Sequence, residues 1–169
     1  MRAGITRKST SAYRDNQGRE IVASYLRDLL PEDASYEERW LFLLTQALRD
    51  ATCSSGAAAL ARMRMFLALP RAGNGSAYSP TFVASALSTR LGVELSPDDI
   101  HILTEGAHGG YAALYKGCAC VHAGQPCVVA AADSLLSAQR LLLLSGKERL
   151  LVDGNSDGLI PGEAAAALI

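Results

Sequence analysis

The chain has 169 residues, 49% of them apolar and 20% charged; that is enough for one domain with a sizeable core and excludes a disordered chain. Sixteen basic residues against seventeen acidic ones leave a formal charge of −1, which excludes a general electrostatic field for nucleic acid or acidic ligands. No run of about 18 uninterrupted apolar residues occurs, so no membrane helix is expected; the richest stretch, Leu135 to Leu144, is broken by Ser137, Gln139 and Arg140.

Met1 to Arg19 carries five basic residues (Arg2, Arg7, Lys8, Arg14 and Arg19) and no apolar signal core. Residues 1–34 therefore read as a basic, loosely structured lead-in, with Tyr13 on a solvated arm, and a cytoplasmic location is expected. Ser35 and Glu38 make a capping box for a helix to Thr52, with Trp40, Leu44, Ala47, Leu48 and Ala51 on one face. Arg62 to Leu69 reads as a strand, closed by Pro70 and the polar run Ala72 to Ser76. Ser79-Pro80 opens a second helix that stops at Gly92, and Ile100 to Leu103 is a short buried strand. Ala107 to Ala123 is a helix by length, followed by the apolar strand Pro126 to Ala132. Asp133 or Ser134 is expected to cap a helix ending at Gly146, and Glu163 to Ile169 is a final Ala-rich strand. Apolar strands separated by single helices predict one α/β domain over 35–169, with a mostly parallel central sheet and helices on both faces.

The helix Ala107 to Ala123 contains Gly109, Gly110 and Gly117 with five alanines. Each interior glycine costs about 1 kcal/mol of helix propensity against alanine. Such a helix needs a close neighbour, so it is expected to be the buried central helix. It should rise directly from the strand Ile100 to Leu103, where a helix N-terminus presents free N–H groups and partial positive charge.

The run Gly106-Ala107-His108-Gly109-Gly110-Tyr111-Ala112-Ala113-Leu114, then Gly124 and Ala131-Ala132-Asp133-Ser134, resembles the N-terminal region of β-ketoacyl synthases in the thiolase-like superfamily. Gly158-Leu159-Ile160-Pro161-Gly162-Glu163-Ala164-Ala165-Ala166 adds the most specific piece. The likeness covers Ile100 to Ile169, with weaker echoes at Arg2-Ala3-Gly4-Ile5 and Leu67-Ala68-Leu69-Pro70. The resemblance implies a thiolase-like half-domain and a family that condenses acyl thioesters with a malonyl unit on acyl carrier protein, without metal or organic cofactor. It also implies association, as a homodimer or with a full-length synthase. Two departures follow. Ala107 stands where the family keeps its nucleophilic cysteine, with His108 beside it, and no hydroxyl or thiol occurs from Glu105 to Gly110. A methyl group cannot form an acyl-enzyme. The family's first strand, central in its sheet, and its second half have no counterpart here. The missing strand leaves three readings: a fragment, a strand supplied by another chain, or a sheet that closes differently. An open slot would expose two rows of unpaired backbone groups.

The resemblance also makes Glu163 a buried carboxylate with a structural role. Other candidates come from the residues themselves. Asp153-Gly-Asn155-Ser-Asp157-Gly158 opens like a calcium loop, yet position twelve is Ala164 and Glu163 falls one residue early. A polar turn bonding its own backbone explains the same letters. Cys118, Cys120, His122 and Cys127 are soft ligands in a tight cluster, but helical spacing separates Cys120 from the Cys118 and His122 face, and small buried thiols also fit a packed helix. Cys53 follows a helix end, where the dipole disfavours a thiolate. His101 alternates with Ile100 and Ile102, facing outward or toward a partner. The expectation is a catalytically silent synthase-like protein working through association, with an acyltransferase using Cys118 or Cys120 and a small metal-binding module as alternatives.

Overall fold

The computed structural model describes residues 9–24, 29–31, 33–72 and 75–169. The capping box forms as written: Ser35 N–H donates to Glu38 Oε2 at 2.8 Å and Glu38 N–H donates to Ser35 Oγ at 3.2 Å, opening α1 (Tyr36–Ala51). Its apolar stripe is closed to solvent, with Trp40, Leu44 and Leu48 at 0% exposure. A 3-10 turn over Ala57–Arg62 then shortens the next strand, so β3 runs Arg64–Ala68. Ser79 caps α2 (Pro80–Leu91) through the Phe82 N–H, and Gly92 ends it at φ 71°. β4 (Ile100–Leu103), α3 (Gly109–His122), β5 (Cys127–Ser134), α4 (Ala138–Gly146) and β6 (Glu163–Leu168) follow.

These strands form one sheet in the order β4-β3-β5-β6. β3 pairs in parallel with both neighbours, Met65 standing opposite Ile100 on one side and Val128 on the other. The vacant central slot that the resemblance implies is therefore closed, because β3 and β5 bond each other directly and no backbone row is left open between them. Leu135 N–H donates to the Gly162 carbonyl at 2.9 Å, so the end of β5 lies beside the start of β6. β6 thus runs antiparallel at the edge of an otherwise parallel sheet.

Paired residues of a parallel ladder share a face. Phe66, Ala68, Leu103 and Cys127 gather with Ala113 and Cys120 of α3 in one cluster. The opposite face carries Met65, Leu67, Ile100, Val128 and Ala130, all buried, and α2 packs against β4. The fold is mixed α/β with a four-stranded mixed sheet.

The chain divides into two compact units, residues 40–133 with 164–169, and residues 1–39 with 134–163. The second unit corrects the expectation of a loose lead-in. Residues 9–24 hold an antiparallel hairpin, β1 (Ser9–Arg14) and β2 (Glu20–Ala23). Ile21 alternates with Ala23, both at 0% exposure, and Ile21 joins Leu141, Leu150 and Val152 in a core of its own. The basic residues Arg2, Arg7 and Lys8, and the segment Arg2 to Ile5, lie outside the described residues.

The hairpin turn is held by Asp15. Its Oδ1 accepts from the Gln17 and Arg19 N–H groups at 2.9 and 2.8 Å, and its Oδ2 accepts from Arg19 Nε at 2.7 Å. Burial pushes the carboxyl upward, but the Arg19 guanidinium and the two N–H groups outweigh it and hold Asp15 below the usual carboxylate range. A depressed pKa stabilises the fold above the unfolded value and is lost as pH falls through the folded one. The protection of the Gln17 and Arg19 amides, measured as exchange relative to intrinsic rates, is therefore expected to fall as pH drops below about 4, and Asp15→Asn to remove that pH-dependent loss of protection.

Candidate functional site

The elbow between β4 and α3 forms as the sequence predicts. β4 ends at Leu103, and a 3-10 turn over Gly106–His108 leads into α3 at Gly109. Ala107 and His108 are both exposed. Gly109 is buried against the sheet, where an added Cβ would meet the Ala68 Cβ at 3.4 Å. At Gly117 an added Cβ would overlap Val129 Cγ2, so glycine is what lets the helix lie this close to β5.

Burial is where α3 departs from expectation. Only Gly109, Ala113, Gly117 and Cys120 are buried, while Tyr111 is 77% exposed, Leu114 44%, Tyr115 79% and Val121 62%. The helix is an outer layer on one sheet face, because its small residues suit the sheet and no element of the described chain lies over the large ones.

Glu163 is the most constrained charged group. Arg39 Nη1 donates to Glu163 Oε2 at 3.3 Å, with side-chain exposures of 1% and 0%. Ser134 Oγ donates to the same oxygen at 3.2 Å, and Arg39 Nη2 donates to the Pro31 carbonyl at 3.0 Å. Ser134 Oγ also accepts from the Leu136 N–H at 3.1 Å. Ser134 thus ties the strand end to Glu163, and the cap of α4 is Ser137, whose Oγ accepts from the Arg140 N–H. Asp133 is exposed and is not the cap of α4. Sequence reasoning missed Arg39. Its signal was the i, i+4 spacing to inward-facing Leu43 in a helix whose next residue, Trp40, is buried.

The thiols do not converge on the elbow. Cys118 is exposed in the last turns of α3, and Cys53 is exposed after α1. Cys120 and Cys127 are buried in the α3 cluster, with Cys127 Sγ 3.5 Å from the Gly117 carbonyl. Burial pushes the Cys127 thiol up, and neighbouring Cys120 adds to it. His122 Nδ1 lies 2.7 Å from the Cys118 carbonyl, back on its own helix. His101 is exposed and stacks on Phe66 at 5.1 Å.

In the Asp153 loop, Asn155 Nδ2 donates to the Glu148 and Leu150 carbonyls, both at 2.9 Å, so this side chain holds a turn. Asp153 and Asp157 are exposed. Among the described residues no three His, Cys, Asp or Glu side chains come together as a metal site. A polar cleft of about 220 Å³ beside this loop is lined by Asp15, Arg19, Ser145, Glu148 and Asn155; Arg19 Nη1 crosses to the Asp153 carbonyl at 3.1 Å. No helix of the described residues is long and apolar enough to cross a membrane.

No protein-family model matches this chain, and no curated protein matches it.

Proposed function

We propose that this chain is a catalytically silent β-ketoacyl synthase-like protein that acts by association rather than by acyl transfer. The observation that carries the reading is the strand–turn–helix elbow with the methyl of Ala107 at the position where the resembled family keeps its nucleophile. The parallel β4-β3-β5 ladder and the glycine contacts of α3 support it. The closed sheet departs from the family pattern, and with it the chain needs no strand from elsewhere to complete that ladder. Acyl carrier protein, an acyl thioester or an intact synthase are the partners this reading names.

The two alternatives have less support. Cys118 and Cys120 lie in the last turns of α3, at the end of the helix away from the elbow. From Ala107 to Cys118 the chain climbs on the order of 16 Å at 1.5 Å per residue. A metal-binding module has no converging ligand set among the described residues.

Incubation with radiolabelled acyl-CoA tests the reading. No covalent adduct is expected on the natural chain, and a labelled Cys118 or Cys120 peptide would overturn it. In Ala107→Cys, the new thiol is expected to alkylate faster at neutral pH than Cys53, because it stands at the positive rather than the negative end of a helix. Equal rates would remove the elbow from the argument.

A further inference from the structure

The cleft beside the Asp153 loop lies wholly within the second unit. The end of α4 forms part of its wall. Glu148 N–H donates to the Ser145 carbonyl and Arg149 N–H to the Leu144 carbonyl, both at 2.9 Å. These are the paired bonds of a Schellman cap, in which the residue after the cap is left-handed and usually glycine. Here that residue is Glu148, at φ 52°, the one non-glycine with positive φ among the described residues. Gly146 stands two residues too early to fill the place. Asn155 Nδ2 holds the Glu148 carbonyl at 2.9 Å, so a second residue of the cleft fixes the strained turn. Strain kept where glycine would relieve it points to a use for the side chain.

The polar atoms of the cleft indicate the ligand. The Arg19 charge is already met, with Nε on Asp15 Oδ2 at 2.7 Å and Nη1 on the Asp153 carbonyl. Both amide hydrogens of Asn155 go to carbonyls, which leaves its Oδ1 as an acceptor. Among the described residues no hydrogen bond or ion pair holds the Glu148 carboxylate. The cleft thus carries one uncompensated negative charge, and Leu150 and Val152, 2% and 8% exposed, supply apolar atoms to its lining. Its volume of about 220 Å³ is below the roughly 300–1,000 Å³ of a pocket for a drug-sized ligand. No three His, Cys, Asp or Glu side chains of the described residues converge as a metal would need.

We infer that this cleft binds a small organic cation, an aliphatic amine or guanidine. Its charged head is held by Glu148 and Asn155 Oδ1, and its alkyl stem lies on Leu150 and Val152. The inference does not use the synthase resemblance, so either can fail alone.

The test is calorimetric titration of the full chain with butylamine and butylguanidine at low ionic strength. Butanol and butyrate serve as controls with the same stem and no charge or the opposite charge. Both cations are expected to bind in the millimolar range and to raise the thermal midpoint, and neither control to do so. Glu148→Gln should weaken the cations about tenfold, as a charged acceptor becomes a neutral one. Glu148→Gly should abolish binding while the empty protein melts higher than the natural chain, because glycine is at ease at this φ. Lost binding in that variant is then not lost fold. Failure of both cations to bind overturns the inference, as does equal binding of butanol, or binding of butyrate or calcium in their place. So does unchanged affinity in Glu148→Gln, or a lower midpoint in Glu148→Gly, which would make the side chain a support of the fold.

Discussion

Glu163→Gln is expected to destabilise the protein by about 3–5 kcal/mol, the usual cost of stripping one partner from a buried ion pair, and to lower the thermal midpoint by roughly 10 °C for a chain of this size. The glutamine keeps the shape and still accepts from Ser134, but it removes the negative charge that faces the Arg39 guanidinium, 1% exposed, at 3.3 Å. Arg39→Met should cost a similar amount by removing the guanidinium that faces the buried carboxylate. The double variant Arg39→Met, Glu163→Leu removes both charges and fills the space with apolar atoms, so it should recover most of the loss. Additive losses in the double variant would mean that the two residues do not act as a pair. A side chain at 0% exposure cannot be reached by a substrate, so no loss of an acid–base step is expected beyond the loss of fold.

That pair also shows where reading the sequence ran out. Periodicity and caps placed α1, α2, β4 and the end of α4 because Ser35 with Glu38, Ser79-Pro80, Gly92 and Gly146 are local signals, settled within one helical turn. Glu163 was recognisable as a carboxylate that burial obliges to find a partner. Its partner stands 124 residues away, and no local rule reaches that far. β3 was extended too far because Arg62 and Met63 alternate with their neighbours, whereas Leu60 is buried by a 3-10 turn. The hairpin of residues 9–24 is hard to read locally because its strands are short and charged, and in β2 only the Ile21 and Ala23 alternation marks a buried face. The small residues of α3 announce a close approach to the sheet, while Tyr111 and Tyr115 on its other side mark a face the sheet does not cover. A helix with glycine on one face and tyrosine on the other is half covered by its own chain, and this distinction separates an outer helix from a central one.

Gly158→Ala is expected to cost about 3 kcal/mol or more, at or above the upper end of overpacking in a filled site. An added Cβ at Gly158 would overlap the Leu150 carbonyl and the Leu151 nitrogen, which are backbone and cannot swing aside as a side chain would. Moving them breaks a tight exchange, in which Leu159 N–H donates to the Arg149 carbonyl at 2.7 Å and Leu151 N–H to the Leu159 carbonyl at 2.9 Å. It also unseats Leu150, 2% exposed, from its cluster with Ile21, Leu141 and Val152. Gly154, four residues earlier, needs glycine for the other reason. Its φ is 84°, and the nearest atom an added Cβ would meet is Arg19 Nη1 at 3.8 Å. Gly154→Ala should therefore cost only the left-handed penalty of about 1–2 kcal/mol. Urea unfolding of the two variants measures this ordering, and a Gly158→Ala protein as stable as the natural chain would refute the packing account. Calcium titration of the natural chain separates a turn from a calcium loop. A metal that bound the folded loop would raise the unfolding midpoint on titration, whereas a loop closed by Asn155 on its own carbonyls should give the same midpoint with calcium and without.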